Sequence, residues 1–308
     1  MSPVITSRIA RRESVATAVV IAALAAAFVW LPALLVGGAT TSRSTLHRST
    51  AEAIAAYWDG GRAPWPDEVR DLVAQWRYYH LAKALIAGAA VVVLAFAGAR
   101  SRRRRSTATR PMRNAAGTTA TGLGALVAVL LLVANVQGTV APFASLLSVL
   151  PTTTANRSFA PTLIEIRDAL AQRAVTGRAG PPPLERMIDA FVGYHVVLAA
   201  LAGVLAVLTA GFVVRALVRR RRLAGATEEH TGPGRIAIAG TALLCAAAGV
   251  LCLANLSTAL QPVPALGDVF AAQHDQAAIS AELTLSSNPA SNSTAQLPEQ
   301  PTGARYEP

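Results

Sequence analysis

One series of residues occurs twice in this chain. Tyr79-His80 opens an apolar run that closes in Arg102 to Arg105, and a second apolar run then ends in Ala134-Asn135. The same order returns as Tyr194-His195, Arg219 to Arg222 and Ala254-Asn255. The offset is 115 residues at the histidines and 120 at the asparagines. A long fixed offset of this kind marks a duplicated supersecondary unit. Each copy holds two runs of membrane-crossing length, an even number, so the second copy enters a bilayer in the same direction as the first. The expected fold class is therefore an all-α membrane protein: five transmembrane helices, a parallel internal repeat of two-helix units, and helical extracytoplasmic extensions.

A helix needs about 20 apolar residues to cross the hydrocarbon core. Five runs reach that length: Val15 to Gly37, Leu81 to Ala99, Gly117 to Val136, Phe191 to Leu217 and Ile236 to Leu256. The first, preceded by Arg11-Arg12, is longer than the apolar core of a signal peptide and is expected to remain as a span. The charge between the runs alternates. Seven arginines and no acid lie between Arg100 and Arg113, six arginines lie between Arg215 and Arg235, and Arg8, Arg11 and Arg12 precede the first run. Between Gly38 and Tyr79, five arginines are balanced by five acids. The positive-inside rule then places the N-terminus in the cytoplasm and the C-terminus outside a plasma (inner) membrane. The net charge of +11 is spent on this asymmetry. Its loops are too short to carry a nucleic-acid footprint, so no nucleic acid is expected as partner.

The chain divides on this reading into residues 1–37 (cytoplasmic segment and first span), 38–136 (first repeat), 137–256 (second repeat) and 257–308, a largely disordered external tail. From Gln276 onward the tail has too few apolar residues to offset its ordering entropy. Cys245 and Cys252 share one helix face in the fifth run and read as small apolar packing groups.

The loops that face outward repeat as well. Gly61-Arg62-Ala63-Pro64 corresponds to Gly177-Arg178-Ala179-Gly180-Pro181. After each turn comes an amphipathic stretch: Val69, Leu72, Val73 and Trp76 fall at i, i+3, i+4 and i+7, and so do Leu184, Met187, Ile188 and Phe191. Both run without a breaker into the next span, which predicts two long helices projecting beyond the bilayer. Leu163, Ile166 and Leu170 suggest a further outer helix, with Ala51 to Trp58 as its weaker counterpart. Together these build a small outer cap. The competing arrangement lays them on the membrane surface, where Trp58, Trp65, Trp76, Tyr78 and Tyr79 form an interfacial aromatic belt.

The candidate site is a polar quartet at similar depth near the outer interface: His80, Asn135, His195 and Asn255. Intramembrane polar residues commonly pin helices through hydrogen bonds, and a histidine bonded to the asparagine of its hairpin partner does so. The sharper alternative sets two imidazoles face to face for bis-histidine haem or metal ligation. Lys83, a turn from His80, has Leu198 as counterpart and can snorkel outward with Asp189. No nucleotide-binding loop, HExxH, GxSxG or CxxC motif is present, so neither enzymatic chemistry nor a cofactor is expected.

With arginine outnumbering lysine 27 to one and abundant alanine, the composition is that of a GC-rich genome. The five-span layout, the Tyr-His and Ala-Asn positions and the proline-rich outer loops resemble uncharacterised multi-pass membrane proteins of actinobacteria over about residues 1 to 275. The resemblance implies an envelope membrane location and brings no activity. The expected partners are the lipid bilayer and either an envelope protein or a second copy of the chain. The expected role is non-enzymatic docking by the cap, with a small permease or channel-like subunit as alternative and a haem redox module as the third.

Overall fold

The computed structural model describes residues 3–37, 43–105, 111–150, 159–223 and 232–270. The external tail expected from Gln276 lies outside them. All regular structure among the described residues is helical: α1 (Pro3–Val36), α2 (Arg43–Asp59), α3 (Asp67–Arg105), α4 (Pro111–Val140), α5 (Pro142–Leu147), α6 (Ala160–Thr176), α7 (Pro182–Leu223) and α8 (Gly232–Leu260). A short ninth helix, α9 (262–270), follows after Gln261. This last stretch was assigned with the tail, and it is helical because Leu266 and Phe270 are buried with the rest of the cap.

Five helices are long and apolar enough to cross a membrane: Val15–Val36, Asp67–Ser101, Thr119–Val140, Pro182–Arg222 and Ile238–Leu260. Only 6% to 17% of the most apolar stretch of each is buried. Surface of this kind is stable in hydrocarbon and not in water, where apolar patches of such size are rare on a monomer. The second and fourth spans begin and end beyond the expected limits, and the third and fifth run on to Val140 and Leu260. Helix α3 has 39 residues and α7 has 42, about 58 and 63 Å at 1.5 Å per residue, roughly twice the hydrocarbon thickness. Their surplus length forms one layer of the cap.

The cap holds the main apolar core. Leu46, Ile54 and Tyr57 of α2, Phe143, Leu146 and Leu150 around α5, Leu163, Ile166 and Leu170 of α6, and Leu266 and Phe270 of α9 enclose the first turns of α3 and α7. The amphipathic faces of those turns point into it: Val69, Leu72, Val73, Leu184, Met187, Ile188 and Phe191 are buried, and Trp76 is packed against the cluster. Helices α2 and α6 have 17 residues each, and each ends at a glycine turn where Gly61 (φ +62°) and Gly177 (φ +67°) take the left-handed conformation that terminates a helix without Cβ strain. Side chains brace both turns. The Tyr57 hydroxyl donates to the Ala63 carbonyl at 3.0 Å, and the Arg173 guanidinium donates to the Gly177 carbonyl at 2.7 Å. Burial pushes the Tyr57 phenol up, against an opposing pull from Arg186, so it stays a neutral donor.

Below the cap the helices sort into hairpins. Helix α3 pairs with α4, α7 pairs with α8, and α1 lies on α3. The seams are lined by small residues that let the backbones approach: Ala84, Ala87 and Ala128 in the first hairpin, Ala199, Ala202 and Ala248 in the second. Cys245 Sγ reaches the Ala206 carbonyl at 3.4 Å, and Cys252 Sγ lies 3.4 Å from where a Cβ on Gly203 would stand, so both thiols occupy the seam of α7 with α8.

Candidate functional site

At the base of the cap, each hairpin closes on one polar clasp. His80 Nδ1 lies 3.0 Å from Asn135 Oδ1, and His195 Nδ1 lies 2.8 Å from Asn255 Oδ1. The asparagines are fixed by their other end: Asn135 Nδ2 donates to the Leu131 carbonyl at 2.7 Å and Asn255 Nδ2 to the Leu251 carbonyl at 2.8 Å. A backbone carbonyl cannot donate, so the amide nitrogen must face it and the amide oxygen must face the ring. Each Nδ1 therefore carries a proton and donates to the amide oxygen, in the same way in both hairpins. Both asparagines are buried, at 6% exposure. The helix provides the geometry, because Leu131 and Leu251 stand four residues before their asparagines, one turn away.

The rings are held from the side by aromatic edges. His80 sits 4.7 Å from Trp76 and 5.6 Å from Tyr79, while His195 sits 4.4 Å from Phe191 and 5.2 Å from Tyr194, all centroid to centroid and steeply inclined. The clasps differ on the far side of the ring. A Cβ on Gly138 would fall 2.6 to 2.8 Å from three His80 ring atoms, so only glycine fits there. The corresponding residue of the second hairpin, 120 positions on, is Thr258. His80 Nε2 is enclosed and has no hydrogen-bond partner.

Each Nδ1 is spent on the asparagine of its own hairpin, and α4 packs against both α3 and α7. No three side chains of histidine, cysteine, aspartate or glutamate gather among the described residues. Lys83 does not snorkel alone to the water: its Nζ lies over the Tyr79 ring at 4.5 Å and the Phe28 ring at 5.0 Å, which ties α1 to α3.

Three ties join α2, α4 and the turn before α3 to α6 and α7, and none has a signature in the sequence. Gln137, 5% exposed on α4, lies close enough to the Tyr194 hydroxyl on α7 to act on it. Trp58 Nε1 donates to Glu165 on α6 at 2.8 Å, and Arg186 of α7 lies over Trp65 at 5.1 Å. Trp76 Nε1 also donates to Ser145 Oγ of α5, at 2.6 Å. One further signal was available. Pro142, Leu146 and Leu150 are matched 120 residues later by Pro262, Leu266 and Phe270, and the paired apolar positions are all buried. No family model, curated protein or solved structure matches the chain.

Proposed function

We propose that this chain is a non-enzymatic protein of the plasma membrane, with its N-terminus in the cytoplasm, and that its extracytoplasmic cap docks another protein of the cell envelope. The unit of construction is a duplicated two-span hairpin with its own cap helices. Support for the duplication comes from the equal lengths of α2 and α6, the left-handed glycine after each, and a His–Asn clasp in each hairpin.

The observation that carries the docking reading is the contrast between the outer faces of α2 and α6. Helix α2 shows water Arg48, Glu52 and Asp59. Helix α6 shows Ile164, Asp168, Ala171 and Val175, spaced at i, i+4, i+7 and i+11 on one face, so that one acid interrupts an otherwise apolar stripe, with Ile164 57% and Val175 88% exposed. A cap with a filled core keeps its shape, and an apolar stripe left in water on such a body is the mark of a contact surface.

A photo-crosslinking residue at Ile164, in intact cells, is expected to capture a discrete envelope protein, and the same probe at Arg48 is not. The doubly charged variant I164E/V175E is expected to remain folded and lose that product. Equal capture at both positions would refute the assignment. Topology is read separately in a background with both native cysteines replaced by serine. S291C is expected to react with an impermeant thiol reagent in intact cells and S106C only after permeabilisation.

A further inference from the structure

Two helix faces that correspond by position have different neighbours. On α3, Lys83, Ile86, Ala90, Val93, Ala97 and Arg100 follow the alternating spacing of three and four that keeps residues on one face. Helix α1 covers this face, meeting it at Phe28 against Lys83 and at Glu13, which forms an ion pair with Arg100. The same positions of α7 are Leu198, Leu201, Leu205, Leu208, Phe212 and Arg215. Here α4 stands in the place of α1, but it meets α7 over a much shorter stretch.

The contact includes the cap end, where Gln137 approaches Tyr194. From there the two helices part. Along α4, in steps of one heptad, exposure rises from 5% at Gln137 to 50% at Leu130 and 61% at Leu123. On α7, Leu208 is 67% and Phe212 49% exposed. Arg215 lies at the wide end of this gap, exposed and without an acid partner among the described residues, whereas its counterpart Arg100 has Glu13. The two helices thus bound a cleft that is closed at the cap and open toward the arginine-rich end, apolar on its walls and cationic at its mouth.

The shape selects the occupant. A partner's transmembrane helix must run the whole thickness of the bilayer, and the closed end leaves it no path. A lipid of one leaflet reaches only to the midplane, and an anionic headgroup over acyl chains matches the cation and the apolar walls in the same order. We propose that the cleft between α4 and α7 holds one anionic phospholipid of the arginine-side leaflet, its phosphate on Arg215 and an acyl chain against Phe212, Leu208 and Leu123. Arg219 to Arg222 do not supply this selectivity. Four consecutive residues at 100° each surround the helix, a collar that faces the headgroup layer in every direction. The inference needs only that the spans lie in a bilayer, and it is independent of what the cap docks.

The test uses the full chain in mild detergent, titrated with phosphatidylglycerol or phosphatidylcholine and read by native mass spectrometry. One phosphatidylglycerol is expected to stay bound at activation energies that remove phosphatidylcholine. R215Q is expected to lower that preference about fivefold, the weight of one basic residue against an anionic headgroup. R221Q/R222Q should change it less than about twofold. L208W, which fills the cleft and leaves the charge alone, is expected to reduce occupancy in the same assay. Inorganic phosphate and the chain-free headgroup glycerophosphoglycerol, at the lipid's concentration, are expected not to compete. Equal loss in the collar variant would show binding to arginine charge as such, and displacement by phosphate would make the site one for free anions. Either result, or absence of any preference in the wild type, overturns the proposal.

Discussion

The two hairpins keep the same clasp and differ in nearly everything beside it. His80 and His195 each bond an asparagine that bonds back to its own helix, with nearly equal distances in both copies. Around that shared element, Trp76 stands where Phe191 does, Lys83 where Leu198 does, Gly138 where Thr258 does, and Arg100, paired with Glu13, where Arg215 has no acid partner among the described residues. The difference shows what each contact is for. The clasp joins the two helices within a hairpin, a job both hairpins share. Two of the diverged pairs, Lys83 with Leu198 and Arg100 with Arg215, lie on the helix faces that look outside the hairpin, toward α1 in the first and toward α4 in the second.

If that division is right, paired substitutions should be costly in both hairpins inside the cap core and at the clasp bonds, and unequal at the diverged positions. The largest effect is expected in the cap. Leu184→Ala and its counterpart Val69→Ala, at 0% and 2% exposure, should both destabilise the protein, by about 2 to 5 and about 1 to 3 kcal/mol. Chemical unfolding in detergent measures both. A silent V69A beside a costly L184A would show that the first copy contributes no core of its own.

Next comes the position where the clasps differ. Gly138→Ala places a methyl group against the His80 ring, and the overpacking should cost about 1 to 3 kcal/mol in the same assay, whereas Thr258→Ala should be close to neutral. Tolerance of G138A would mean that the first clasp is loose enough to shift. Below this lie the clasp bonds themselves. Asn135→Ala and Asn255→Ala should each cost about 0.6 to 2 kcal/mol, the range for polar bonds between membrane helices. Nitrogen NMR of labelled histidine is expected to show a hydrogen-bonded, protonated Nδ1 at both positions, and the asparagine variants should lose this fixed arrangement. Different tautomers at His80 and His195 in the wild type would break the equivalence. The smallest effect belongs to the lateral tie. Lys83→Met removes a cation from between Phe28 and Tyr79 and should cost about 0.5 to 1 kcal/mol, with the loss appearing in the attachment of α1.

Length and period determined much of this protein from the sequence alone. Apolar runs of bilayer length become helices because no other single segment satisfies its backbone in hydrocarbon, and this holds whatever the neighbours are. The spacing of Val69, Leu72 and Val73 and of Leu184, Met187 and Ile188 foretold a buried face because the cap is packed against water, where apolar stripes must be covered. The pairing of each histidine with one asparagine followed from their shared depth.

Only the tertiary structure decided which helices stand side by side in the bilayer. Lipid tails are as apolar as leucine, so a span facing lipid and a span facing another span show the same pattern, and periodicity carries no record of the neighbour. That is why Gln137 could not be matched with Tyr194 in advance, nor Lys83 with Phe28, nor the widening between α4 and α7 seen. The helix at 262–270 was hidden for a related reason. Its apolar content is too small to bury alone, and it becomes part of the core only because Leu266 and Phe270 meet surfaces prepared by residues more than a hundred positions away.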